Sequence, residues 1–273
     1  MNIKKNLIVL ISFPILILFF MMISNIILEG HAGLSWNYFV TEASHAGRSG
    51  GIAPIIVSTT IIVILTLLIS TPFSFCSALI LTLVISKNRY LLSLFEISLT
   101  LLSGLPSVVF GLFGSAFFGK TLGFGYSLIS GALTLSCMVL PFYTKILHDN
   151  FKILPREYFL SGKALDLSLY QFAKNILIPL NLYAIAAGAI FSISRALGET
   201  AALIFTSGYV DRYPHSLLDS GRTLSIHIYD LALNIPGGDQ AALKASFVFL
   251  LLSLTINFIL SVVLKNTLLR GLQ

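Results

Sequence analysis

Arg195 and Glu199 stand four residues apart in the stretch SRALGETAA, inside the long and mostly apolar run that follows Pro179. An ionised side chain at the middle of a membrane-spanning helix costs about 2.5–3.5 kcal/mol. Residues at i and i+4 share one helix face, so each charge can neutralise the other. Two roles fit. In the first, the pair is structural and locks its helix to a neighbour. In the second, Arg195 recognises an anion, because its planar donor fork suits phosphate or another oxyanion, and Glu199 holds it until substrate competes. Thr200 adds a hydroxyl, and Gly198 is expected to allow close helix approach.

The segment that leads into this run is of another kind. Residues 151–175, FKILPREYFLSGKALDLSLYQFAKN, are charged and polar in a very apolar chain. Pro155 can occupy the first turn of a helix without losing a needed hydrogen bond. Beyond it, apolar residues recur at three and four, which predicts one amphipathic helix. Such a helix either lies in the lipid headgroups or docks in a groove on a cytoplasmic partner.

The rest of the chain must hold these two stretches. Of 273 residues, 56% are hydrophobic and 10% charged, with mean hydropathy +0.92; soluble domains carry about 25% charge. The chain is therefore an all-α integral membrane protein. Its net charge of +6 is spread along loops, which argues against nucleic acid. Cys76 and Cys137 fall in apolar runs and read as small packing residues. His31 and His45 lack nearby ligand partners, so no metal site is expected. No glycine loop followed by Lys-Ser/Thr is present, so no cofactor and no ATP hydrolysis are expected of this chain.

Six crossings are predicted. Residues 7–28 read as an uncleaved anchor and 29–51 as a loop outside the bilayer. Residues 52–86 give one span bent at Pro72. Residues 91–118 give a span kinked at Pro106, where Gly104, Gly111 and Gly114 serve close packing or line a pathway. Residues 126–147 cross back, and the run with Arg195 crosses next. Residues 208–240 read as a polar loop with short surface-lying pieces, and 245–264 as the last span. Lys4, Lys5, Lys87, Arg89, Lys145, Lys152, Arg156, Lys163, Lys174, Lys265 and Arg270 then share one side. Arg48, Lys120, Arg212, Arg222 and Lys244 fall on the other. The positive-inside rule places both termini in the cytoplasm.

Pro-Arg-Glu-Tyr at 155–158, Ala164 and Leu165, Ser168, Tyr170, Gln171 and Ile-Leu-Ile-Pro at 176–179 resemble the coupling-helix region of binding-protein-dependent ABC importer permeases. The resemblance implies a five-helix type-1, MetI-like core with one added N-terminal helix. It divides the chain into an anchor and loop at 1–50 and a permease domain at 51–270. The family's Glu-Ala-Ala triplet falls on Leu160, Ser161 and Gly162, and its following glycine on Asp166. The signature glutamate and glycine are thus both missing, and Glu157, about one turn upstream, replaces the charge only in part.

ISRALGETAALIFTSG at 193–208 is similar to the Arg-Ala-x-Gly-Glu-Thr-Ala stretch of PstA-type bacterial phosphate permeases, with Ala202 in place of a proline. GGIAP at 50–54, GLPSVVFGLFG at 104–114, SGALTLSCMVLP at 130–141 and IHIYDLA at 226–232 agree in order. This resemblance implies a subunit of the bacterial cytoplasmic (inner) membrane, embedded in lipid. It pairs with a C-type permease above two ATPase subunits that carry ATP-Mg. An extracytoplasmic binding protein delivers phosphate, and Arg195, Glu199 and Thr200 line the pathway. Two alternatives are a molybdate or sulfate permease and an ATP-independent carrier or channel.

Overall fold

The computed structural model describes residues 2–271, with side chains described except at 2–12, 156, 260 and 263–271. The basic side chains of Lys4, Lys5, Arg156, Lys265 and Arg270 lie outside that set.

Helix α1 (Asn2–Gly30) is mostly apolar in sequence from Leu7 to Leu28 and packs along the last helix of the chain. A Cβ on Gly30 would fall 2.6 Å from the Leu243 carbonyl oxygen, so a side chain there would push the two helices apart. A one-turn helix (Trp36–Val40) and a two-stranded hairpin follow, with β1 (Ala43–Ser44) antiparallel to β2 (Ser49–Gly50).

Helix α2 (Ala53–Leu83) continues through Pro72 as one uninterrupted helix. It carries Thr66, Ser70, Ser74, Ala78 and Thr82 at four-residue intervals. This ridge lies along Ala132, Ser136, Leu140, Thr144 and His148 of α5 (Leu128–Ile153). Thr66 Oγ1 donates to the Ala132 carbonyl at 3.4 Å, Ser74 Oγ to the Leu140 carbonyl at 3.4 Å, and Thr82 Oγ1 meets His148 Nδ1 at 2.9 Å. The partners rise together along both helices, so α2 and α5 run parallel. Small side chains permit this close approach, and hydroxyls bond across it. Ser70 Oγ and Thr144 Oγ1 are buried in the same seam without a partner among the described residues.

Two parallel helices need a return crossing between them. It is made by α3 (Arg89–Ser103) and α4 (Ser107–Gly114), which runs on as a π-helical stretch to Thr121. The two halves meet at 93°. The expected kink at Pro106 is therefore a full break: Pro106 cannot continue α3, and it precedes α4 in an extended conformation, φ −58° and ψ 139°. A Cβ on Gly111 would lie 2.9 Å from Ala202 Cα, and one on Gly114 would overlap Thr134. Gly111 thus brings two backbones together and Gly114 makes room for the Thr134 side chain, whereas Gly104 faces only its own turn.

After α5 come α6 (Arg156–Ala164) and α7 (Leu169–Phe172), then a π-helical stretch and a short turn to Leu180. Helix α8 (Leu182–Gly198) turns away from that segment by 76°. A single turn, α9 (Ala201–Ile204), precedes a long loop. Helices α10 (Leu224–Leu233) and α11 (Asp239–Gly271) complete the chain. Four helices are long and apolar enough to cross a membrane alone, and six spans result when each bent pair counts as one.

The main core joins α2, α5 and α8 through Ile62, Leu135, Tyr143, Leu147, Ile193 and Leu197. Tyr143 donates to the Ile185 carbonyl at 2.7 Å, and a Cβ on Gly188 would overlap its ring. A smaller core at the hairpin end gathers Ile52, Ile55, Leu224, Leu231 and Ala245. Residues 224–233 were expected to lie on a surface; instead α10 is buried there, because its apolar face closes this second core. Cys137 is half-buried, but Cys76 is exposed on α2 rather than packed.

Candidate functional site

Arg195 lies in the last turn of α8, and the helix stops at Gly198. Glu199 has left the helix, at φ −77° and ψ 125°, so the pair does not share one continuous helical face. It forms across the helix end instead, with Arg195 Nη2 3.1 Å from Glu199 Oε1. The Arg195 side chain is 40% exposed and that of Glu199 10%. The only other contact of the guanidinium among the described residues is Nη2 to Met138 Sδ of α5, at 3.9 Å. The guanidinium therefore keeps free donor capacity toward open space. Gly198 admits no close helix: a Cβ there would meet nothing within 4 Å. Its use is the open space beside the pair.

The break is held from a distance. The Glu199 carbonyl accepts from Ser225 Oγ at 2.7 Å, and the Leu224 N–H donates to Thr59 Oγ1 at 2.9 Å. The start of α10 thus ties the end of α8 to α2. Half-buried Thr200 sits at the foot of α9 in the same break.

A second pair, which the sequence did not disclose, lies on the other side of that junction. Arg222 Nη2 is 3.5 Å from Asp230 Oδ2, with both side chains close to fully buried. Arg222 Nε donates to the Tyr209 carbonyl at 3.0 Å, and Nη1 lies 3.4 Å from His227 Nδ1. Asp230 Oδ1 also accepts from Asn234 at 2.8 Å. Arginine can only donate, so His227 Nδ1 accepts and its proton sits on Nε2. Nε2 is buried with no partner among the described residues. Burial first, and the Arg222 charge second, push the His227 pKa down to about 3. The hairpin packs on this ring, since a Cβ on Gly47 would fall 2.5 Å from its Cε1. Arg222 and Asp230 sit eight positions apart around an apolar stretch, and that spacing is the only trace of them in the sequence.

The expected amphipathic helix after Pro155 is two pieces. Helix α6 ends at Ala164, Leu165 follows it, and Asp166 takes φ 47°. A left-handed residue is where glycine is favoured and where Asp or Asn is best tolerated among the others. Asp166 therefore holds a backbone conformation that glycine would adopt more easily. Ser168 and Gln171 then form a capping box that starts α7. Gly162 packs flat against Phe172, whose ring lies 5.5 Å from that of Phe159. Glu157, Leu160, Ser161, Ala164, Leu165 and Asp166 all face outward, so α6 presents an exposed face with apolar and acidic groups. Behind it a cavity of about 370 Å³ separates Phe159, Gly162 and Phe172 from Thr82 and Ser86 at the end of α2. Glu96 is part-exposed and pairs with Lys152, with His148 at 3.3 Å.

Comparison with known proteins gives this arrangement a setting. The family model for the binding-protein-dependent transport system inner membrane component matches residues 70–268. A probable ABC transporter permease protein of Bacillus subtilis, YqgI, is 28% identical over 249 residues, covering 86% of this chain and 84% of its own. The phosphate transport system permease protein PstC of Xylella fastidiosa is 29% identical over 220 residues, covering 71% of this chain and 66% of its own. A solved bacterial ABC transporter involved in the import of the acidic polysaccharide alginate superposes with a TM-score of 0.67. Its identity is 15%, and 97% of each chain is covered. The expected MetI-like importer fold is the fold observed.

Proposed function

We propose that this chain, which belongs to the binding-protein-dependent transport system inner membrane component family, is the A-type permease of a phosphate importer. At the coarser level it is a membrane subunit of an ABC importer, and ATP is hydrolysed on separate subunits. The observation that carries the substrate is the half-open Arg195–Glu199 pair at a helix break. A chain this apolar keeps an arginine with unused donors only where an anion or a partner supplies the acceptor. The similarity of the Xylella fastidiosa PstC permease supports phosphate. The A-type assignment rests on the Arg-Ala-x-Gly-Glu-Thr-Ala stretch.

In this mechanism the end of the bundle with α6 faces the cytoplasm of a bacterial inner membrane, where Lys87, Lys145, Lys152 and Lys163 favour that side. The hairpin and α10 face a phosphate-binding protein. The exposed face of α6 receives one of two ATPase subunits, each closing on ATP-Mg. A C-type permease packs alongside, residues 51–270 form the permease unit, and 1–50 form its added anchor and loop. Closure of the ATPases pushes α6 and, through the Gly162–Phe172 contact, the segment that runs into α8. Arg195 exchanges Glu199 for a phosphate oxygen as access alternates.

Reconstitution in liposomes with the two ATPases, the C-type permease and the binding protein tests this. Radiolabelled phosphate should enter only with ATP and all components. Uptake by this chain alone without ATP would show a carrier or channel, and preferential uptake of molybdate or sulfate would reassign the substrate.

A further inference from the structure

Arg195 offers only N–H donors, and ionised Glu199 offers only acceptors. They are joined by a single contact of 3.1 Å, Nη2 to Oε1. Among the described residues no hydrogen bond reaches the second carboxylate oxygen, and none but the one to Met138 Sδ reaches the rest of the guanidinium. An anion that enters beside this pair therefore meets donors and an acceptor together. Neighbouring groups do not cover the mismatch: Gly198 contributes no side chain, and the Glu199 carbonyl is already engaged by Ser225.

We infer that Glu199 selects oxyanions that carry a proton, by accepting a hydrogen bond from the anion's own O–H while Arg195 binds its charged oxygens. This rests on the reading that Arg195 meets substrate. Near neutral pH inorganic phosphate keeps at least one P–OH, and arsenate behaves likewise. Sulfate and molybdate keep none. With a proton between them, two oxygens approach as a short charge-assisted bond. Without one, a dianion places an acceptor against an acceptor and a negative charge against a negative charge. Glu199 is only 8% exposed, so little water is available to screen that repulsion. A site that hydrogen-bonds a substrate O–H rejects analogues lacking it far more strongly than shape alone can.

The binding protein would mask selectivity in uptake, so the experiment uses the assembled importer in detergent without it. Thermal unfolding is followed against sodium phosphate, arsenate, sulfate and molybdate. Phosphate and arsenate should raise the midpoint, and sulfate and molybdate should not. Glu199→Gln exchanges one acceptor for a donor, so sulfate should now raise the midpoint and phosphate should need about tenfold more for half its effect. Glu199→Asp keeps the carboxylate and should still exclude sulfate, which decides the matter if Glu199→Gln does not assemble. Equal shifts by sulfate and phosphate in the wild type, or an unchanged anion order in Glu199→Gln, would overturn the selectivity. A phosphate shift retained in Arg195→Gln, or no shift by any anion in the wild type, would instead remove the site itself.

Discussion

Two arginine–carboxylate pairs flank the start of α10, and they are built to opposite plans. Arg222 spends Nε on Tyr209, Nη1 on His227 and Nη2 on Asp230, and Asp230 is further held by Asn234. Arg195 spends one nitrogen on Glu199 and faces open space with the rest. The closed pair joins hairpin, loop and α10 into one block. The open pair sits where α8 has broken off and where Ser225 holds the broken end. The buried pair has a contact at each guanidinium nitrogen, whereas the Arg195 guanidinium meets Glu199 and Met138 through Nη2 alone among the described residues.

The largest effect on stability is expected at the closed pair. Arg222→Met leaves Asp230 buried and uncompensated and should cost about 3–5 kcal/mol. It should be seen as loss of assembled complex on size exclusion, with uptake falling only in step. Adding Asp230→Leu should restore most of the yield, because replacing both partners removes the uncompensated charge. Failure of the double variant to recover would mean that the pair is more than structural.

His227 gives the next effect. Its folded pKa, about 3, lies below the ordinary value of 6.5. The unfolded chain therefore takes up a proton that the folded one refuses, so stability falls as pH drops from about 6.5 toward 3. Above that window both states are neutral at this residue and it contributes no slope. His227→Gln should flatten the dependence of the unfolding midpoint on pH in that window, and an unchanged slope would place the titration elsewhere.

The smallest effect is expected where the two pairs join. Ser225→Ala leaves the Glu199 carbonyl without its donor and should cost about 1 kcal/mol in thermal unfolding. A loss as large as that of Arg222→Met would mean that the open pair also depends on this block for folding.

The spans were legible because apolar length is a local property, and Arg195 with Glu199 stood out because charge is rare in such a run. The break between them was not legible. Glu199 leaves the helix just after Gly198, where Ser225, from a distant segment, satisfies its carbonyl. Residues 208–240 look like a polar loop for the same reason, since Arg222 and Asp230 cancel each other only once folded. Asp166 marks a third case. Its mismatch with a family glycine suggested a lost feature, yet the backbone there is left-handed, a conformation that glycine favours and Asp tolerates. Pro106 was recognised, though the 93° between α3 and α4 is stated by no local pattern.

Arg195→Gln in the reconstituted importer tests the central claim most directly. The account predicts a normally assembled complex whose initial rate of ATP-driven phosphate uptake falls by about one to two orders of magnitude, as expected for losing a hydrogen bond to a charged group worth about 1.5–3 kcal/mol. Uptake at the wild-type rate and affinity by an intact Arg195→Gln complex would contradict it.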